Sequence, residues 1–142
     1  MGRIAVHVYG SAKERAYGEM LKNYGDRLTS RGINIVFHNS KKSLHEYFTA
    51  LNKNAALFLL DEAGEEYTSR EFTKLIKDWT VSNKDVNLAI GPVDGWGEYK
   101  SKTTNLIALS KMTFPHELAA VMLVEQVYRA TEIIKGTNYH RD

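Results

Sequence analysis

The chain has 142 residues, of which 43% are hydrophobic and 25% charged, and this is enough for one domain with its own core. The absence of cysteine excludes disulfides, thiolate catalysis and any metal or cluster site built on cysteine. A formal net charge of +2 is too small to indicate a nucleic-acid-binding protein by itself, and no apolar run is long enough for a membrane span. Since a signal peptide is not indicated either, we expect a single soluble domain over residues 1–142, located in the cytoplasm.

The first half of the chain alternates short β-branched runs with helical periodicity, which predicts an α/β domain. Ile4–Tyr9 is the first predicted strand, and apolar residues spaced along one helical face follow it over Tyr17–Leu28. Ile33–His38 is the second predicted strand, and Leu44–Leu51 predicts a short amphipathic helix. Ala56–Leu60 is a continuous apolar run, as expected for a third strand that is buried on both faces.

The second half continues this alternation. Thr68 and Glu71 have the spacing of a capping box and predict the start of the third helix. Val86–Ile90 and Asn105–Leu109 are the fourth and fifth predicted strands. A helix of about twenty residues is predicted within Pro115–Gly136, with proline at its first turn and glycine at its end. The whole pattern predicts a parallel or mostly parallel sheet with helices on both faces.

Ligands of open α/β sheets bind at the carboxyl ends of strands, and a glycine-rich loop follows the fourth predicted strand. Gly91, Gly95 and Gly97 allow a tight backbone path and close approach to a ligand, although they could equally serve turns alone. Their spacing fits neither the dinucleotide fingerprint nor a P-loop. Asp61 and Glu62 end the third predicted strand, where capping a loop is the favoured interpretation and contact with a ligand hydroxyl is the alternative.

Two further segments have ambiguous chemistry. His116 opens the sequence HELAA, which lacks the second histidine of the H-E-x-x-H zinc motif because its fifth position is Ala120. No metal site is therefore predicted. The chain ends in GTNYHRD, and a tail of this kind is by itself interpreted as solvated and tolerant of change.

The last 33 residues, SKMTFPHELAAVMLVEQVYRATEIIKGTNYHRD, closely resemble the C-terminal part of the ribosomal RNA large subunit methyltransferase H family. The resemblance extends backward through IGPVDG and LLDEAG, and more loosely to YGSAKERAYGEMLKNYGDRL. It implies a SPOUT-type α/β domain with a C-terminal trefoil knot, assembled as a homodimer. It also implies methyl transfer from S-adenosyl-L-methionine to N3 of a pseudouridine in large-subunit ribosomal RNA, on the assembled ribosome.

The resemblance also implies roles for individual residues. Carried over position by position, the cofactor contacts are Leu60, Gly91, Ala108, Leu109, Ser110, Lys111, Met112 and Thr113. The tail of one subunit is expected beside a cofactor cleft of the dimer, where three side chains would position the substrate. Tyr139 would stack on the base, His140 would assist proton removal or hydrogen-bond the base, and Arg141 would contact phosphate or a uracil carbonyl.

Pro92 departs from the family pattern, which usually has Gly-Gly at this point of the loop. Proline has no N–H and a fixed φ, so the cofactor geometry could differ here. Two other functions therefore stay open. One is a SPOUT methyltransferase that acts on another RNA nucleotide, and the other is a noncatalytic ribosome-associated binding protein of the same fold. The apolar segment Leu118–Val124 predicts a helix that is buried on more than one side, by the domain, by a partner subunit, or by both.

Overall fold

The computed structural model describes residues 2–103 and 105–142, and it shows one sheet of five parallel strands in the order β2-β1-β4-β3-β5. The strands are β1 (Ile4–Tyr9), β2 (Ile33–His38), β3 (Ala56–Glu66), β4 (Val86–Ile90) and β5 (Leu106–Ala108). The helices are α1 (Arg15–Thr29), α2 (Leu44–Leu51), α3 (Ser69–Val81) and α4 (His116–Lys135), and a short 3₁₀ helix covers Gly97–Ser101. The predicted α/β class and parallel sheet are confirmed, whereas the trefoil knot is consistent with this topology and stays a prediction.

Helices cover both faces of the sheet, as predicted. α1, α3 and α4 pack on one face, in a core that includes Val6, Leu88 and Ile90. α2 and the 3₁₀ helix pack on the other face, in a second core that includes Leu59 and Ala89. Successive residues of β4 thus belong to different cores, since side chains alternate across a strand. β3 and β4 contain continuous apolar runs because both of their faces are buried.

The ends of the helices follow local sequence signals. At the start of α3, the backbone N–H of Glu71 donates to Thr68 Oγ1 over 3.1 Å, and the N–H of Thr68 donates to Glu71 Oε1 over 2.8 Å. The predicted capping box is therefore confirmed. α4 begins after Pro115 and ends at Gly136, whose φ of 77° is a left-handed conformation that favours glycine.

β3 is longer than predicted, because it continues to Glu66 instead of ending at Leu60. Both Leu60 and Glu65 pair with Ile107 of β5, so the residues between them form a bulge. Within this bulge, Asp61 Oδ1 accepts a hydrogen bond of 2.9 Å from the backbone N–H two residues later. This contact confirms the capping interpretation of Asp61. The bulge brings a polar segment to the carboxyl end of the sheet.

A chain of hydrogen bonds crosses the sheet beneath α2. Lys42 Nζ lies 3.1 Å from His38 Nδ1, His38 Nε2 lies 2.8 Å from His7 Nδ1, and His7 Nε2 lies 2.9 Å from Asn87 Oδ1. Because an ammonium group only donates, one consistent direction follows: His38 donates to His7, and His7 donates to Asn87. Each imidazole then carries one proton and is neutral. Burial is the largest cause that lowers the pKa of both histidines, and the positive charge of Lys42 adds to it. Together with the neighbouring His7, these causes bring the pKa of His38 to about 4.

We expect the melting temperature to fall as the pH is lowered from 7.5 to 5. In the unfolded chain both histidines bind protons with an ordinary pKa of about 6.5, whereas the folded chain keeps them neutral to lower pH, so acid favours unfolding. The loss should begin below about pH 6.5 and continue towards the lowered pKa of His38, which is about 4. Thermal melts of His38→Gln should show a weaker pH dependence, and His45→Gln, at an exposed histidine, is the matched control. Equal pH dependence in all three proteins would contradict this expectation.

Candidate active site

A cavity of about 350 Å³ lies at the carboxyl end of the sheet, between the ends of β3 and β4 and the loop after β5. Its volume is within the range of small-molecule sites. Six of the eight residues predicted to contact the cofactor line this cavity: Leu60, Gly91, Leu109, Ser110, Met112 and Thr113. Of the other two, Ala108 is buried at the end of β5 and Lys111 is exposed, with its Nζ 3.9 Å from Glu66 Oε1. The fold therefore brings most of the predicted contacts to one place, and their binding role stays a prediction.

The glycine loop after β4 forms one side of this cavity. Gly91 lies against the indole of Trp96, and a Cβ at this position would be 3.0 Å from the indole Nε1. Gly95 and Gly97 have φ of 77° and 56°, so these two glycines serve turns. Pro92 fits the loop, because its carbonyl accepts the N–H of Gly95 over 2.8 Å and it needs no positive φ. The departure from the family pattern is thus compatible with a folded loop.

The charged side chains of the cavity lining are mostly acidic. Asp61, Glu62 and Asp94 line it, together with Lys100 and with His116 at the start of α4. Carboxylates attract positive charge and accept hydrogen bonds from hydroxyl and amino groups. The arrangement therefore suits a ligand that has hydroxyls and a positive charge beside an apolar part. Within residues 2–103 and 105–142, no group of three or more histidine, aspartate or glutamate side chains is placed to hold a metal ion.

Two buried aromatic side chains, Trp96 in the cavity lining and Tyr47 behind it, were not predicted as functional. Trp96 Nε1 donates to the carbonyl oxygen of Leu60 over 3.0 Å, at the junction of β3 and the bulge. The hydroxyl of Tyr47 on α2 donates to the carbonyl oxygen of Ile90 over 2.8 Å, at the end of β4. A tryptophan within a glycine-rich loop is a weak signal for such a contact. The sequence around Tyr47 offers none, because its partner is distant along the chain.

The C-terminal tail is folded back onto α4. The ring of Tyr139 packs edge-on against Tyr128 with centroids 5.0 Å apart, and its hydroxyl donates to Glu125 Oε2 over 2.8 Å. His140 Nδ1 lies 3.1 Å from a guanidinium nitrogen of Arg129. Because arginine only donates, this Nδ1 is the acceptor, and the proton of a neutral His140 is on Nε2. The lone pair that would accept a proton is thus occupied in this arrangement.

The last residue fixes the end of the tail. Arg70 Nε and Nη2 lie 3.0 and 2.8 Å from the two carboxylate oxygens of Asp142, and Nε2 of His140 lies 2.9 Å from one of them. The hydrogen bonds from Arg70 and His140 lower the pKa of Asp142 to about 2. Arg141 stands exposed between these two anchored residues. Of the residues that the structure describes, none of the tail lines the cavity of its own chain.

Comparison with known proteins identifies the family of the chain. The family model described as "Predicted SPOUT methyltransferase" matches residues 2–140. The chain belongs to the SPOUT methyltransferase family. Membership makes it an enzyme of methyl transfer, which requires a methyl donor. Ligands of open parallel sheets generally bind outside the carboxyl ends of the strands, and this cavity lies at that end.

Several relatives of this SPOUT methyltransferase match most of the chain. Three examples, each named "Ribosomal RNA large subunit methyltransferase H", are the following. The protein from Coprothermobacter proteolyticus is 36% identical over 98% of this chain and 99% of its own length. That from Prochlorococcus marinus is 34% identical over 98% and 96%, and that from Chromobacterium violaceum is 33% identical over 91% and 90%. The resemblance drawn from the sequence is therefore confirmed. In the part of the chain that is described, no helix is both long and apolar enough to cross a bilayer.

Proposed function

We propose that the chain transfers the methyl group of S-adenosyl-L-methionine to N3 of a pseudouridine in large-subunit ribosomal RNA. The observation that carries this proposal is the cavity at the carboxyl end of the sheet, lined by six of the residues expected to bind the methyl donor. The names of the full-length relatives support ribosomal RNA as the substrate. The reaction would take place in the cytoplasm, where ribosomes are, and within a single catalytic domain over residues 1–142.

The residues of the cavity fit this methyl donor. Leu60, Leu109 and Met112 would contact the apolar faces of its adenine, and Ser110 and Thr113 would supply hydroxyls to polar atoms. The acidic lining would receive its ribose hydroxyls and its positive charge. When bound, S-adenosyl-L-methionine supplies a methyl group that is already activated on a sulfonium. The protein then mainly has to align the base with that group and exclude water.

The tail supports the substrate side of the proposal. Arg141 is exposed and would contact phosphate or a carbonyl of the base. Tyr139 has the cation of Arg129 4.9 Å from its ring centroid, and stacking on a base would add to this contact. Both ring nitrogens of His140 are engaged, Nδ1 with Arg129 and Nε2 with Asp142, so a contact with the base would have to replace one of these two hydrogen bonds. Because the tail lies outside the cavity of its own chain, it would contact the substrate at the cavity of a second subunit.

A homodimer is therefore part of the proposal. Leu118 and Met122 of α4 are only half-buried, and together with Met20 of α1, which is 43% exposed, they line an apolar cavity of about 490 Å³. A second subunit would cover this apolar face of α4. Sedimentation velocity at micromolar protein should show a dimer. A monomer would contradict the shared site.

Calorimetric titration with S-adenosyl-L-methionine and with S-adenosylhomocysteine tests the methyl-donor site. We expect saturable binding of both. Mass spectrometry of ribosomal RNA after incubation with labelled donor should then find the methyl group on N3 of a pseudouridine. Label on another nucleotide would favour a SPOUT methyltransferase of different specificity. Ribosome binding without label would favour a noncatalytic binding protein.

Substitution of Gly91 by alanine should weaken binding of the methyl donor on the order of tenfold, which corresponds to about 1.4 kcal/mol. The new Cβ would lie 3.0 Å from Trp96 Nε1, so the indole or the loop has to move at the edge of the cavity. Titration calorimetry measures the change. Gly18→Ala on α1 is the matched control, because its Cβ would meet only an ordinary contact of 3.7 Å. Equal affinity of the wild type and Gly91→Ala would contradict the placement of the site.

A further inference from the structure

Two backbone carbonyls beside the cavity each accept a hydrogen bond from a fully buried side chain, one from Trp96, which itself lines the cavity, and one from Tyr47 on α2. Leu60 and Ile90 are register partners at the ends of β3 and β4, and both line the cavity. The carbonyl of Leu60 accepts from Trp96 Nε1 over 3.0 Å, and that of Ile90 accepts from the Tyr47 hydroxyl over 2.8 Å. The exposed fractions of Trp96 and Tyr47 are 1% and 0%. The last carbonyls of two neighbouring strands thus each accept a hydrogen bond from a buried aromatic side chain.

The two aromatic rings also support each other. They are stacked, with centroids 5.5 Å apart and planes inclined by 9°. Tyr47 comes from α2 and Trp96 from the loop after β4, so the stack joins a helix beneath the sheet to the loop that borders the cavity. Burial raises the pKa of Tyr47, and its hydroxyl therefore remains a donor throughout the physiological pH range. Buried polar groups keep their partners because an unpaired group is costly in an apolar core.

We propose that Tyr47 and Trp96 are positioning residues for the methyl donor, and this inference rests on the proposed function. Since a trans peptide directs its C=O and N–H to opposite sides, fixing the carbonyls of Leu60 and Ile90 also fixes the N–H groups of the residues that follow them. Those residues, Asp61 and Gly91, line the cavity. Backbone groups of fixed direction are the means by which pockets orient small ligands.

This role differs from that of ordinary core packing. Tyr99 belongs to the same buried cluster, but its hydroxyl lies 2.9 Å from His45 Nδ1 and touches no peptide of the cavity. Removal of the Tyr99 hydroxyl changes the cluster without releasing a strand end. Tyr99→Phe is therefore the matched control for Tyr47→Phe, since both substitutions delete one hydroxyl from one tyrosine.

The decisive measurement is the steady-state kinetics of methyl transfer, together with titration calorimetry of S-adenosyl-L-methionine. In Tyr47→Phe, KM and Kd for the methyl donor should rise on the order of tenfold, as expected for one lost hydrogen bond, whereas kcat at saturating donor should stay within about twofold. Trp96→Phe should weaken donor binding as well, but Trp96 also lines the cavity, so Tyr47→Phe is the variant that decides. Tyr99→Phe should match the wild type. Unchanged affinity in Tyr47→Phe, or equal weakening in Tyr99→Phe, would overturn the proposal.

Amide hydrogen exchange of the protein without ligand separates this proposal from the proposed function. Tyr47→Phe should speed exchange at Gly91 and the loop that follows it, and Trp96→Phe should do so at Asp61, while Tyr99→Phe should leave both sites unchanged. If the wild type does not bind S-adenosyl-L-methionine, the proposed function fails. The exchange rates alone then show whether Tyr47 and Trp96 hold the ends of β3 and β4 in place. Unchanged exchange at both sites would overturn the proposal even if the donor binds.

Discussion

Replacement of Gly64 by alanine is expected to lower the melting temperature by roughly 10 °C. Gly64 lies in the bulge of β3, where the chain returns to β5, and a Cβ there would be 2.5 Å from the carbonyl carbon of Leu106 and 2.6 Å from the nitrogen of Ile107. These are backbone atoms of a paired strand, so no side chain can rotate away and the two strands have to separate. Overpacking of this kind costs about 3 kcal/mol, and each kcal/mol shifts the melting temperature by about 3 °C in a domain of this size.

Thermal unfolding followed by circular dichroism measures this effect. Gly18→Ala is again the control, and it should raise the melting temperature slightly, because alanine favours a helix over glycine. Gly64→Ala should also weaken binding of the methyl donor, since the bulge carries Asp61 at the cavity. A melting temperature equal to that of the wild type would show that β3 and β5 approach each other less closely than described.

Substitution of Arg141 by alanine is the second change with a large expected effect. We expect methyl transfer to ribosomal RNA to fall on the order of tenfold to a hundredfold, which corresponds to the roughly 1.5–3 kcal/mol of a hydrogen bond from a charged group. Because Arg141 is exposed, neither the melting temperature nor the affinity for S-adenosyl-L-methionine should change. Incorporation of labelled methyl groups into ribosomes is the measurement.

Arg15→Ala is the matched control, because it removes an exposed arginine of α1 whose contact is with Glu19 one helical turn away. Deletion of residues 138–142 should abolish transfer and also lower the melting temperature, since it removes Tyr139 from its packing against Tyr128. The point substitution therefore separates a role in substrate binding from a role in stability. Full transfer by Arg141→Ala and by the deletion variant would contradict a functional tail.

The alternation of strands and helices was predictable from the sequence, because each element has its own local signal. The apolar runs of β1 to β4 and the capping box at Thr68 reflect properties of a few adjacent residues. The extension of β3 to Glu66 was not predictable, since Asp61–Glu66 is polar and becomes a strand only by pairing with β5. Pairing at such a distance leaves no periodicity in the segment itself.

The candidate site also has parts that could be predicted from the sequence and parts that could not. The glycine loop and the residues after β5 were recognised from the family resemblance, and the structure gathers most of them around one cavity. The support of that cavity by Tyr47 and Trp96 was missed, because each hydrogen bond joins residues that are 36 or more positions apart. The anchoring of the tail was missed for the same reason, since Arg70 and Asp142 lie 72 positions apart.

The fixed tail would lower the entropy cost of the proposed association with RNA. A flexible arm loses conformational entropy when it binds, and this loss reduces the affinity that its contacts would otherwise give. Here Arg70 and Arg129 hold Asp142 and His140 in place within the protein itself, so most of that ordering accompanies folding. If the tail contacts RNA as proposed, loss of the Arg70 contact would leave Arg141 chemically unchanged and still weaken the binding of RNA, because the tail would then have to be ordered on binding.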